Sequence, residues 1–309
     1  MIELHVEPRI IKTWERFKEE SPRYSIALDG YVVGRPRYDP AGPFTNFNHH
    51  EDVDRLGTRS TGAQLYVAIK QGLFIKFSQN GEPYAHLFVN DPDQDVCLSK
   101  WIAENSERIN GTKSEPLITR LVAVSDLLDT TGGTYPLDPS SRIMRELAWI
   151  YEPYNAVRFS GKLAQLNEGE MRNVIEAVCS RISEYSLGMG KTINLDTRYE
   201  EIGGGIGWAM IREIGPFARS ELFARGIRAF VSVRERGNGF HDYTLGRISP
   251  FVDFPIEHFY SKLNEIENLN GDEGNHWGGG DIIGGSPRKT GSKIKPDELI
   301  KIINDCLKH

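Results

Sequence analysis

The chain has 309 residues, 39% of them hydrophobic and 26% charged, with a formal net charge of −6. That length exceeds what one hydrophobic core usually supports, so two domains are expected. The acidic balance argues against a broad nucleic-acid-coating surface and suits small phosphorylated substrates better than long duplexes.

Read from the start, MIELHVEPRIIKTWERF carries Glu3 and Glu7 and has no uninterrupted apolar core, so it is not read as a secretory signal. No stretch approaches the roughly 18 apolar residues of a membrane span. Cys97, Cys179 and Cys306 lie far apart without CxxC spacing, which suits a reducing compartment; the cytoplasm is the expected location. Apolar and β-branched runs then alternate with helical patterns. The spacing predicts a strand over 24–33, a helix over 61–71, strands over 73–77 and 84–89, and a helix over 95–105. Leu117, Leu121, Val124 and Leu128 recur at helical spacing until Gly132-Gly133 stops them. Residues 141–185 read as helical, interrupted around Pro153 and Gly161. Beyond Gly188 a second α/β pattern begins, with strands predicted over 207–213, 229–235 and 240–248 and helices over 217–225, 256–266 and 296–307. The expected class is therefore α/β in two domains. Residues 1–187 form a mainly parallel sheet flanked by helices with a helical connector, and 188–309 form a smaller α/β domain.

Chemistry concentrates in two stretches. Asn48-His49-His50 follows a predicted strand, and some forty residues later NDPDQDVC offers Asp91, Asp93 and Asp95. Mixed nitrogen and oxygen ligands of this kind suit one or two divalent metals and hydrolytic chemistry on phosphate. Phosphodiester hydrolysis needs a nucleophile generated near neutral pH and counter-charge for developing oxyanions, which two cations about 3.5 to 4 Å apart supply. With Asp29 and Asp126 from other strand ends, the expected ligand set is Asp29, His49, Asp91, Asp93, Asp95 and Asp126, and the expected cofactor is a pair of Mn²⁺ (or Mg²⁺) ions. Asp126 is preferred to Asp129, because Asp-Thr-Thr-Gly-Gly is also good turn chemistry. His49, His50 and Asp93 are the candidate catalytic groups, with His50 able to bind metal or meet a substrate phosphate. The plainer reading of the Asp-Pro-Asp-Gln-Asp loop is a solvated turn or helix cap, since aspartate caps helix N-termini well.

Near the tail, NHWGGGDIIGGSPRKTGSK is rich in glycine. Gly279, Gly280, Gly284 and Gly285 permit close backbone approach, so their amides could cradle a phosphate, with His276, Ser286 and Arg288 facing the same cleft. Arg234 and Arg236 at a strand end are further candidates for phosphate contact. Two phosphate motifs are rejected: GMGKT at 188–192 lacks the earlier glycine of a P-loop, and GGGIG at 203–207 precedes a strand instead of following one.

Taken together, these segments resemble the DHH phosphoesterases with their DHH-associated C-terminal domain. FNHHEDVDRLGTRSTGAQ resembles the family's Asp-His-His motif and Ser/Thr-rich helix start, NDPDQDVC its Asp-x-Asp metal loop, and VAVSDLLDTTGG the segment delivering a further aspartate. GGGDIIGGSPRKTGS resembles the glycine-rich substrate loop. The resemblance implies a manganese-dependent phosphoesterase acting on small nucleotides or short single-stranded oligonucleotides, without membrane association and compatible with a homodimer. Two departures stand out. Asn48 occupies the place of the triplet's first aspartate, and the Asp-x-Asp loop follows the His-His motif instead of preceding it. The order of motifs need not matter, because parallel strands all deliver their C-terminal ends to one edge of the sheet. Asn48 motivates an alternative: a catalytically inactive nucleotide- or phosphate-binding protein of the same fold.

Overall fold

In Ser25–Leu28 and Ala85–Val89 every residue is buried, the pattern of central strands in a parallel sheet covered on both faces. The computed structural model describes residues 1–133, 135–269 and 275–308. It divides the chain into two compact units, Met1–Thr130 with Arg145–Ile193, and Thr131–Met144 with Asn194–His309. Residues 131–144, which a single cut at 187/188 assigns to the first domain, group with the second unit.

The first unit is built on β1 (Ile2–Val6), β2 (Ser25–Leu28), β3 (Arg37–Asp39), β4 (Phe44–Phe47) and β7 (Ala85–Val89), in the order β1-β7-β2-β4-β3. All neighbours are parallel except β3, which runs antiparallel on the edge. A two-stranded ribbon, β5 (Ser78–Gln79) with β6 (Glu82–Pro83), lies outside this sheet. The helices are α1 (Trp14–Glu20), α2 (Thr61–Lys70), α3 (Leu73–Lys76), α4 (Gln94–Glu104), α5 (Ser106–Ile109), α6 (Pro116–Thr130), α7 (Arg142–Ile150), α8 (Glu152–Phe159) and α9 (Glu168–Ser186). Trp14 and Phe17 of α1 close one core with Ala27, Tyr31, Val32, Phe44 and Phe88. α4 is buried from Asp95 through Ala103 and packs between α2 and α9.

The strand expected over 73–77 is instead a helical turn, α3, with Ile75 exposed. A short apolar run cannot separate strand from helix by periodicity. Here Gly72, at φ 99°, ends α2 and lets a new turn begin. The strand expected over 24–33 is shorter, ending at Leu28 because Asp29 and Gly30 take φ of 51° and 80° and turn the chain. β1 was not anticipated, since its Glu3 and His5 interrupt the apolar pattern.

The second unit carries a six-stranded sheet ordered β12-β13-β11-β10-β9-β8, from β8 (Tyr199–Gly205), β9 (Trp208–Glu213), β10 (Ala229–Gly237), β11 (Phe240–Arg247), β12 (Gly278–Gly279) and β13 (Ile283–Gly285). Only β9 and β10 pair in parallel. α11 (Ile256–Glu267) and α12 (Pro296–Cys306) close a core around Trp208, Tyr243, Phe254 and Trp277, while α10 (Ala218–Ala224) packs Leu222 and Phe223 against Phe230. Mixed α/β architecture is thus what both units show. Among the described residues no helix is long and apolar enough to cross a membrane.

Leu87 lies fully buried in β7, between β1 and β2. Replacing it with alanine is expected to lower the free energy of unfolding by about 2 to 5 kcal/mol in urea denaturation, as for buried leucines in general. A loss under about 1 kcal/mol would show that this strand is not central to the core.

Candidate metal centre

β2, β4 and β7 run parallel, so their C-terminal ends open onto one edge of the sheet, where ligands of such folds bind. Asp29 follows β2, Asn48-His49-His50 follows β4, and Asp91-Pro92-Asp93 follows β7 and leads into α4. α6 brings Asp126 and Asp129 to the same region; three apart in a helix, they share a face.

His49 stands at the middle of this edge and is completely buried. Its Nε2 lies 2.9 Å from Asp129 Oδ2 and 3.6 Å from Asp29 Oδ1. The 2.9 Å contact is a buried ion pair, while the geometry at His49 is too poorly aligned to count as a regular hydrogen bond at either ring nitrogen. Two sets of converging ligand atoms share this imidazole, Asp29 with His49 and His50, and His49 with Asp95 and Asp129. Buried carboxylates and imidazoles that converge within a few ångströms are groups that a cation could bridge. These acidic and histidine clusters can hold a metal ion.

Electrostatics supports the grouping. Burial opposes ionisation of Asp29, yet His49 and His50, with Asp93 beside it, hold its carboxyl well below the usual range. Burial, and then the charge of Asp29, push Asp93 well above its ordinary value, so one proton is held between these two acids. Asp95 is raised by burial and by the charges of Asp129 and Asp29. For His49, burial disfavours the cation, but the Asp129 and Asp29 carboxylates outweigh it and push the imidazole up to about 10.

The N-terminus of α2 answers much of this negative charge. Thr61 Oγ1 donates to Asp29 Oδ1 at 3.0 Å, Ser60 Oγ to Asp95 Oδ1 at 3.1 Å, and the Gly62 amide to Asp95 Oδ2 at 3.0 Å. Positive helix ends favour carboxylates in just this position. Gly62 is required for the approach, because a Cβ there would stand 2.8 Å from Asp95 Oδ1. Ser60 also caps the helix, accepting from the Ala63 amide. Arg55 donates to the carbonyls of Asp129 and Thr130 and places Nη1 3.3 Å from His50 Nδ1.

The expected ligands therefore separate. Asp29, His49, His50 and Asp95 come together, and Asp93 joins them through Asp29 while its Oδ1 accepts from the Val96 amide and caps α4. Asp91 falls outside the converging sets. Asp126 is corrected to Asp129: Asp126 accepts from the Ser60 amide at 2.7 Å and pairs with Arg59, whereas Asp129 meets His49. The turn chemistry of Asp-Thr-Thr-Gly-Gly misled the sequence reading, because α6 runs on to Thr130 and keeps Asp129 in its last turn. An acid at a helix C-terminus opposes the helix dipole, a placement that asks for compensation nearby.

Asn48 has a clear structural task. Fully buried, it donates through Nδ2 to the carbonyls of Val32 and Gly34 and to Glu51, and its Oδ1 accepts from the amides of His49 and His50. An aspartate could not donate to two carbonyls, so the amide is what this network needs. Asn46 repeats the pattern, its Nδ2 facing the carbonyls of Val32, Gly34 and Arg35. Sequence reading missed Asn46, Thr61 and Gly62; the run of Ser, Thr and Gly before the helix was the available signal.

Most of the glycine-rich tail is drawn into strand pairing. Gly279 and Gly284 pair across β12 and β13, Gly284 and Gly285 pair with Leu245 and Thr244 of β11, and the Gly280 amide donates to Ile283 O. The glycines are there for packing: a Cβ on Gly284 would fall 1.9 Å from Tyr260 Oη, and one on Gly285 2.2 Å from Tyr243 O. Ser286 is buried, its hydroxyl accepting from the Tyr243 amide. His276 and Arg288 are exposed. Neither a known protein-family profile nor a curated protein sequence matches the chain.

Two measurements follow from this geometry. Since Asp93, Asp95 and His49 all hold protons more tightly than usual, a divalent cation must displace protons to bind. Mn²⁺ affinity is therefore expected to rise with pH in calorimetric titrations; a pH-independent affinity would mean that these groups are not ligands. Asn48→Asp is expected to lower stability by about 1 to 3 kcal/mol, the penalty for leaving buried carbonyls unpaired, read as a drop in unfolding midpoint.

Proposed function

We propose that the first unit is a metal-dependent phosphoesterase centre acting on small nucleotides or short oligonucleotides. The observation that carries this reading is His49, a fully buried imidazole around which two sets of potential ligand atoms converge. Two cations are proposed, and since the single lone pair of His49 Nε2 can serve only one of them, Asp29, His49 and His50 would hold one and Asp95 with Asp129 the other, with Mn²⁺ or Mg²⁺ favoured by the excess of carboxylate oxygen. Bound there, such ions would polarise a phosphoryl oxygen and supply hydroxide near neutral pH.

The protein's own groups have separate tasks. Asp29 is set ionised, ready to face a cation. Asn48 fixes the backbone amides of His49 and His50 and so the direction of both rings. Ser60, Thr61 and Gly62 hold the carboxylates of Asp29 and Asp95 in place before any ligand arrives, which reduces reorganisation when substrate binds. Arg55 sits beside His50, and the largely exposed Arg59 lies on Asp126, so two guanidinium groups border the acid cluster where an incoming phosphate needs counter-charge. The likeness to DHH phosphoesterases supports the same reading through the His-His and Asp-x-Asp segments. A catalytically inactive nucleotide- or phosphate-binding protein is the alternative, motivated by Asn48 and by the altered motif order; bound ligand without turnover would support it.

Purified protein supplied with Mn²⁺ is expected to hydrolyse a chromogenic phosphodiester or at least one member of a panel of cyclic dinucleotides and short oligonucleotides. His49→Ala, Asp29→Asn and Asp129→Asn are expected to lower kcat/KM by more than about 100-fold, since even groups that only support ligands are worth 10- to 100-fold. Asp126→Asn, which acts through Ser60, should stay within about 10- to 100-fold. Absence of hydrolysis across the panel, or an Asp126 effect larger than that of Asp129, would refute the assignment.

A further inference from the structure

A second group of metal-ligating side chains lies elsewhere on the same sheet, between the edge strand β1 and its neighbour β7. The two strands pair in parallel with Glu3 opposite His86 and His5 opposite Phe88. Residues two apart on a strand point to the same side, so Glu3, His5, His86 and Phe88 share one face. Glu3 and His86 stand second in β1 and β7, at the opposite end of the strands from the Asp29 and His49 loops.

The ligand atoms converge closely. His5 Nε2 lies 3.0 Å from His86 Nδ1, His86 Nδ1 lies 3.2 Å from Glu3 Oε2, and His5 Nε2 lies 3.8 Å from Glu3 Oε1. Ligands bound to zinc at about 2.0 to 2.1 Å in a tetrahedron stand roughly 3.3 Å from one another, and the two imidazole nitrogens, hydrogen-bonded to each other, and the nearer Glu3 oxygen are spaced close to that distance. Both rings are held from behind. The other nitrogen of His86 is 3.2 Å from Tyr84 Oη, and His5 stacks on Phe88 with centroids 4.5 Å apart and planes 10° apart. Outer contacts of this kind are what orient histidines towards a metal. Side-chain exposure grades from 11% at His86 through 30% at His5 to 54% at Glu3, so the group opens to solvent on one side.

We propose that Glu3, His5 and His86 form a zinc site that ties the edge strand β1 to β7. Two imidazoles and one carboxylate suit a borderline cation such as Zn²⁺. Three protein ligands leave a fourth position for water. A cross-strand clamp has a clear purpose here, because an edge strand is hydrogen-bonded to the sheet on one side only.

The test is zinc retention by the full chain. Protein stripped with chelator is dialysed against Zn²⁺ in the presence of excess Mn²⁺, washed, and analysed for zinc per chain, comparing wild type with His5→Asn, His86→Asn, Glu3→Gln and His49→Ala. Wild type and His49→Ala are expected to retain one equivalent and to give the intense visible absorption of four-coordinate Co²⁺ when cobalt replaces zinc. His5→Asn and His86→Asn are expected to lose both, and Glu3→Gln to weaken zinc by at least about 10-fold. Circular dichroism checks folding. Glu3 and His5 are exposed enough that their variants decide the matter even should the buried His86 variant unfold. Unchanged zinc content and cobalt spectrum in folded His5→Asn and Glu3→Gln, or loss of zinc in His49→Ala alone, would overturn the site. Since Mn²⁺-dependent turnover is not the readout, failure here leaves the phosphoesterase proposal standing, and the converse also holds.

Discussion

Asp29, Asp95 and His49 lie buried within reach of one another, with Asp93 and Asp129 beside them. Carboxylates gathered in this way repel, and each loses hydration on burial. Three features oppose that penalty in the protein itself. The donors at the start of α2 meet Asp29 and Asp95, the two imidazoles face Asp29 and Asp129, and a proton rests between Asp29 and Asp93. A divalent cation would complete the balance. The rest of the first unit follows from this need: three parallel strands and α6 must end at one place, and α2 must begin there.

Holding the ligands in position falls to residues that bind nothing. Asn46 and Asn48, two apart at the end of β4, both reach the carbonyls of Val32 and Gly34 and so fasten the loop after β2 to the loop after β4. Asp29 takes a left-handed backbone conformation at φ 51°, a strained choice for a residue with a side chain, and such strain persists where surrounding contacts fix it. Its carboxyl is fixed here by His50 and Thr61. Asn48 follows the same logic, since only an amide can both donate to carbonyls and accept from amides.

The two units use glycine for different ends. In the first, Gly62 lets a helix amide reach Asp95. In the second, Gly279, Gly284 and Gly285 let three strands and Tyr260 come together at the sheet edge. A glycine-rich run near Arg and Lys therefore reads identically whether it cradles a phosphate or packs a hairpin.

The sequence by itself determined the alternation of strands and helices, most of the long elements from α2 to α12, and the chemistry of the site: periodicity is local, and so is the type of each side chain. It placed Asp29, His49, His50, Asp93 and Asp95 among the candidate site residues because each follows or precedes a recognisable element. It could not choose between Asp126 and Asp129, which share a helix face, nor see that Asn48 is an anchor, nor find β1 with its Glu3 and His5. Those outcomes depend on which residue from another part of the chain lies opposite, Ser60 against Asp126, His49 against Asp129, His86 against Glu3. Such pairings are decided by the crossing of strands and the rotation of helices in three dimensions, and only the tertiary structure sets them.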